Sequence, residues 1–87
     1  MKYYTYVLYS PVYDKIYIGY TNNLERRLHF HNKGIQGWTA KYIPWDLVYH
    51  EEFETKSEAI KRENYIKKMK SREYIENLIR DAGGRPG

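Results

Sequence analysis

Residues 4–31 read YTYVLYSPVYDKIYIGYTNNLERRLHFH, and the fold is decided by where the alternation of side chains begins and ends. Successive residues of an extended chain point to opposite faces, so Tyr4, Tyr6 and Leu8 share one face, while Tyr17 faces away from Ile16 and Ile18. The runs 3–9 and 15–20 are rich in Tyr, Val and Ile, and Ser10, Pro11 and Asp14 interrupt them. They are expected to form a β-hairpin. The alternation then stops in TNNLERRLHFHNKG. There Leu24 and Leu28 share a helical face, Thr21 or Asn22 can cap, Asn22 and Glu25 stand at capping-box spacing, and Gly34 can end the helix. This predicts a helix over 22–33.

The stretch GIQGWTAKYIPWDL has two glycines and a proline without clean periodicity and is expected as a loop, with Trp45 filling the core. DLVYHEEF, 46–53, is expected as the third strand. In TKSEAIKRENYIKKMK, Thr55 and Glu58 form a second capping box, and Ala59, Ile60, Ile66 and Met69 form an apolar stripe, so a helix is expected over 55–70. Ser71 can cap a last helix in which Tyr74, Ile75, Leu78 and Ile79 point inward. The order is ββαβαα: an α+β domain with a small three-stranded antiparallel sheet flanked by helices, spanning 1–80, with 81–87 as a flexible tail.

An 87-residue chain has room for one modest core. A hydrophobic content of 41% without a long apolar run argues against disorder and against a membrane span. The start MKYYTYVLY lacks the apolar stretch of a signal peptide, and the absence of cysteine excludes disulfides and thiolate zinc sites; both suit a cytoplasmic protein. The net charge of +4 is a mild basic bias. It concentrates at Lys61, Arg62, Lys67, Lys68, Lys70 and Arg72, which can meet phosphate, although Glu58, Glu63 and Glu73 interleave with them as on an ordinary solvated helix face.

Eleven tyrosines are too many to be read alike. Any one of them, taken singly, is a good strand former that packs its ring and wets its hydroxyl. Gly19 inside a strand weakens it unless something approaches the backbone closely. Arg27 and His31 are one helical turn apart and project toward the same neighbourhood. Glu63 sits beside the apolar stripe of the second helix, where a carboxylate needs a partner, either Lys67 four residues on or a metal ion.

TYVLYS, then Tyr17-Ile18-Gly19, Arg27, His31 and Glu63 within AIKRENYIKK together resemble the GIY-YIG nuclease domain over residues 3–79. TYV stands where the first name-giving triplet would be, with Tyr6 at its tyrosine. WTAKYIPWDLVYHEEF and IKKMKSREYIENLI are similar to the short stand-alone bacterial members. The resemblance implies an endonuclease that hydrolyses DNA phosphodiester bonds in repair or processing, with one Mg²⁺ or Mn²⁺ ion. It implies Tyr6, Tyr17, Arg27, His31 and Glu63 as catalytic residues and Glu63 as the metal ligand. Gly19, Lys41, Lys67 and Asn77 fall to substrate binding.

These residue types suit that chemistry. Arg27 would clamp a phosphate with its planar fork, Glu63 would anchor an ion whose other ligands are waters and phosphate oxygens, and one tyrosine would deprotonate water if positive charge lay nearby. His31 would orient a tyrosine or relay its proton, and Lys41 would lower a tyrosine pKa. Trp38 can stack on an unpaired base. The alternative function is a nucleic-acid-binding module of the same fold with weak or absent cleavage. A protein-interaction domain has only the aromatic loop in its favour. The oligomeric state is open between monomer and weak dimer.

Overall fold

The computed structural model describes residues 1–34 and 37–83. Residues 35 and 36 of the expected loop and 84–87 of the expected tail lie outside the described residues. The elements are β1 (Tyr3–Ser10), β2 (Lys15–Thr21), α1 (Leu24–Lys33), a 3-10 turn (Trp38–Tyr42), β3 (Asp46–Phe53), α2 (Lys56–Met69) and α3 (Arg72–Gly83). The three strands form one antiparallel sheet in the order β2-β1-β3. This is the expected α+β fold and element order.

The central strand must be apolar or hydrogen-bonded on both faces, since helices cover both, and β1 meets that demand except at Ser10, whose Oγ is buried without a partner among the described residues. Thr5, Tyr6, Val7, Leu8 and Ser10 are all buried. On one face Val7 and Ile18 pack against Ile66 of α2 and Ile75 of α3. On the other, Tyr6 and Leu8 pack against Trp45, with Tyr17, Leu24 and Leu28 around them. The pairing of β1 with β3 slips by one residue, from Val7 opposite Tyr49 to Leu8 opposite Leu47. Val48 is therefore the extra residue of a bulge. Val48 and Tyr49 both reach the α2/α3 side, while Leu47 reaches the α1 side.

Helix α2 is held to the sheet at two points. Thr5 Oγ1 donates to the carbonyl of Ala59 at 2.7 Å, and Arg62 forks onto Glu51 of β3, with Nε and Nη2 at 3.0 Å from its two oxygens. The expected capping box at Thr55 and Glu58 is present in both directions. The cap of α1 differs from expectation: Asn23, not Thr21 or Asn22, takes the position, and its side chain accepts from the Arg26 N–H at 3.0 Å. Thr21 instead supports the cap by accepting from the Asn23 N–H. The sequence TNN offers three capping side chains in a row, and only the entry direction from β2 selects among them.

Other departures are small. Met69 leaves the apolar stripe and is 41% exposed, because α2 has reached its left-handed end at Lys70 and the chain turns away into α3. The expected loop holds a 3-10 turn, and α3 continues through Gly83 into the segment expected as tail. Trp45 is 1% exposed and fills the core as expected.

Candidate active site

The site grows from the α1 face of the sheet. Tyr6 lies directly across the β1–β2 ladder from Gly19, and its ring crosses over that glycine. A Cβ at position 19 would lie 2.6 Å from the Tyr6 hydroxyl oxygen and 3.1 Å from the Tyr17 ring. Glycine is thus required by a close approach, the phenol of its cross-strand partner passing over bare backbone. This accounts physically for the glycine that follows Tyr17-Ile18.

Helix α1 brings His31 to the same place. Its Nε2 is 3.1 Å from the Tyr6 hydroxyl, and its Nδ1 is 3.0 Å from Oγ1 of Thr39 in the 3-10 turn. With the proton on Nδ1, Tyr6 donates to the ring and the ring donates on to Thr39; the other tautomer reverses both bonds. His31 is buried, and desolvation, with Arg27 adding to it, pushes its pKa down to about 4. The ring is neutral at physiological pH. The Thr39 carbonyl in turn accepts from Trp45 Nε1 at 2.8 Å. Asn32, next to His31, clasps the Trp45 backbone through both its amide groups, at 2.6 and 3.0 Å. This ties the 3-10 turn to α1 and holds Thr39 against the histidine.

Tyr6 is pulled in two directions. Burial raises the pKa of its hydroxyl, Arg27 opposes that, Tyr17 and Glu63 add to the rise, and the result is about 12. Tyr6 therefore keeps its proton at neutral pH. The pKa of Arg27 is raised, first by Tyr6 and also by Tyr17. Its guanidinium lies over the Phe30 ring at 5.0 Å, and its Nε is buried without a hydrogen-bond partner. Tyr17, whose ring is 4.9 Å from that of His31, lines an open cleft of about 550 Å³ with Arg27, His31, Trp38 and Thr39.

Glu63 reaches this group from α2, close enough for its charge to act on Tyr6. Its side chain is only 12% exposed, and Lys67 Nζ sits 2.6 Å from its Oε2. Among the described residues no three His, Asp or Glu side chains stand together as a metal cage. The one carboxylate fits Mg²⁺, which keeps several waters and takes one or two carboxylates plus phosphate oxygens. It does not fit an ion that needs a set of protein ligands.

Of the remaining expected residues, Gly19 and Lys67 lie at the site as described. Lys41 is exposed on the 3-10 turn and is not among the groups that shift Tyr6; the cation there is Arg27. Asn77 is half-buried on α3 and makes no hydrogen bond to the site among the described residues. Thr39, Asn32 and Phe30 were not singled out from the sequence. Phe30 and Asn32 flank His31, the only available sign, and Thr39 lies in a stretch without periodicity.

The hairpin thus contributes two tyrosines, the next helix an arginine and a histidine, and the helix after β3 a carboxylate. The chain belongs to the GIY-YIG family: the GIY-YIG catalytic domain matches residues 2–76. Among its relatives, the UPF0213 protein of Limosilactobacillus reuteri is 42% identical over 94% of this chain and 86% of its own length. A UPF0213 protein of Bacillus licheniformis is 45% identical over 92% and 86%. The solution NMR structure of a UPF0213 protein from Bacillus halodurans superposes with a TM-score of 0.60 at 33% identity, covering 97% of this chain and 88% of that one. No helix among the described residues is long and apolar enough to cross a membrane.

Proposed function

We propose that this protein is a divalent-metal-dependent endonuclease that hydrolyses DNA phosphodiester bonds, in repair or processing. The observation that carries the reading is the convergence of Tyr17, Arg27 and His31 on one open cleft, with the Glu63 charge acting on the adjoining Tyr6. Nε of Arg27 is buried without a hydrogen-bond partner among the described residues, and such a group costs about 1–3 kcal/mol. An incoming phosphate would satisfy it.

Arg27 binds the scissile phosphate, its fork matching two phosphate oxygens. Tyr6, protonated, holds the His31 ring in line and presents a donor rather than a base. Tyr17 lines the open cleft with Arg27 and takes the proton of the attacking water. Trp38 and Phe30 wall the cleft and limit water around the reacting oxygen. A Mg²⁺ or Mn²⁺ ion, held by Glu63, would supply neutralisation of the charge that grows on the phosphoryl oxygens. Lys67, which pairs with Glu63, would be available to a neighbouring phosphate.

The second reading, a nucleic-acid-binding module without cleavage, has one observation in its favour: Glu63 already has a cation, Lys67. Glu63→Gln separates the two. Nicking of DNA in Mg²⁺ is expected to vanish in the variant while binding in EDTA persists, with a stability change within about 1 kcal/mol, as expected of one ion pair whose lysine is half exposed. A Glu63→Gln protein that still cuts in Mg²⁺ overturns the nuclease mechanism. A wild type that binds DNA and never cuts it points to the binding module.

A further inference from the structure

A second depression adjoins the cleft. It holds about 540 Å³ and runs along the exposed edge of β2, between that strand and the junction of α2 with α3. Of its isoleucines Ile16 is half-buried, while Ile18, Ile66 and Ile75 are buried. Around them stand Lys15, Lys67, Lys70 and Arg72 against a single carboxylate, Asp14. Lys67 is paired with Glu63, and Arg72 with Asp14 and Glu76. Lys15 and Lys70 make no ion pair among the described residues, so the rim offers uncompensated positive charge. Tyr17 and Trp38 line both this groove and the cleft, which makes the two continuous.

Trp38 is the unusual member. It is 46% exposed, yet its ring is backed by Tyr42 at 4.7 Å and Trp45 at 6.0 Å. Tyr42 is itself braced edge-on by Tyr13 at 5.5 Å and carries the Lys15 ammonium 5.4 Å from its ring centre. A large aromatic held rigid and left exposed between two clefts is a stacking surface that loses little side-chain entropy when a flat ligand lands on it.

We propose that this groove is a nucleotide subsite, taking an unpaired nucleotide of the DNA strand that enters the cleft. The base lies against Trp38 and Ile16, and its phosphates meet Lys15 and Lys70. The occupant follows from the pairing of surfaces. The rim is cationic and suits a polyanion, while the apolar surface needs the flat face of a base. In a duplex that face is covered by stacked neighbours, so only an unpaired base can present it. The proposal rests on the nuclease reading for the position of the scissile phosphate, and it names the substrate as DNA with unpaired nucleotides beside the cut.

The test is binding in EDTA, where no cutting occurs, measured by fluorescence anisotropy with a labelled mixed-sequence single strand and a blunt duplex of equal length at one salt concentration. The wild type is expected to favour the single strand. Trp38→Ala is expected to weaken single-strand binding about tenfold or more, the cost of one lost base stack, while duplex binding changes by less than about twofold. Trp38→Phe should recover most of the loss. Lys15→Gln, outside the catalytic cleft, should weaken the single strand and lower its salt dependence. Melting temperatures of the three variants report any loss of fold. Equal affinity of the wild type for the two DNAs, or an equal loss for both in Trp38→Ala, overturns the subsite. A protein that cuts in Mg²⁺ while Trp38→Ala binds normally keeps the nuclease and loses the subsite; one that never cuts but shows the Trp38-dependent preference keeps the subsite and loses the nuclease.

Discussion

The two faces of one central strand are built on opposite principles. Behind β1, toward α2 and α3, Val7, Ile18, Ile66 and Ile75 make an apolar layer, and the charged link of α2 to β3, Arg62 with Glu51, is a fully matched fork. Toward α1, the buried residues include Tyr6, His31 and Thr39, joined in a chain of hydrogen bonds that ends beside an unpartnered Arg27 nitrogen. Apolar burial gives stability without demanding partners, whereas each buried polar group must be satisfied or destabilise the fold. The first face is built for stability, and the second carries the polar groups of the proposed site.

That contrast can be broken most strongly at Ile66, which is fully buried between sheet and helices. Ile66→Ala should cost about 2–5 kcal/mol in denaturant unfolding, the range for a buried isoleucine emptied in a core. Cutting by the fraction still folded should be unchanged, and a change in activity per folded molecule would show the faces are coupled.

Acid acts on the other face. His31 titrates near 6.5 when unfolded and at about 4 when folded, so its contribution to stability is complete above pH 6.5 and is lost as pH falls from there toward 4. The linkage amounts to roughly 3 kcal/mol over that window. Unfolding free energies at several pH values, compared with those of His31→Gln, isolate it from the carboxylates. A variant with the same slope as the wild type would mean that His31 titrates normally.

Gly19→Ala sharpens the comparison with a smaller effect. The added methyl must push the Tyr6 ring and the adjacent Tyr17, at about 1–3 kcal/mol for an overpacked site. Activity should fall more than stability predicts, because the displaced rings belong to the proposed site. Loss of stability alone, with full cutting, would make Gly19 merely a packing residue.

Much of this was legible in the chain itself. Period-two alternation marked β1 and β2, the Thr55 and Glu58 box marked the start of α2, and the spacing of Tyr6, Tyr17, Arg27, His31 and Glu63 carried the family resemblance. The first two are short-range patterns within one element, which local sterics and side-chain periodicity write directly into sequence; the third spans four elements and was legible only through the resemblance. The cap of α1 was misassigned by one residue because three capping side chains stand in a row, and Lys41 and Asn77 were assigned from the resemblance without any geometric signal.

What only the tertiary structure decided is who meets whom across the fold. Thr39 reaches His31 because Asn32 clasps the Trp45 backbone. Arg62, in sequence one more member of a basic run, is drawn onto Glu51 by the packing of α2 on β3. Gly19 is required only because the Tyr6 ring from the neighbouring strand crosses it. Such pairings join residues far apart along the chain and depend on strand register and helix placement. Those are settled when the two apolar layers close together, not by any residue's own preferences.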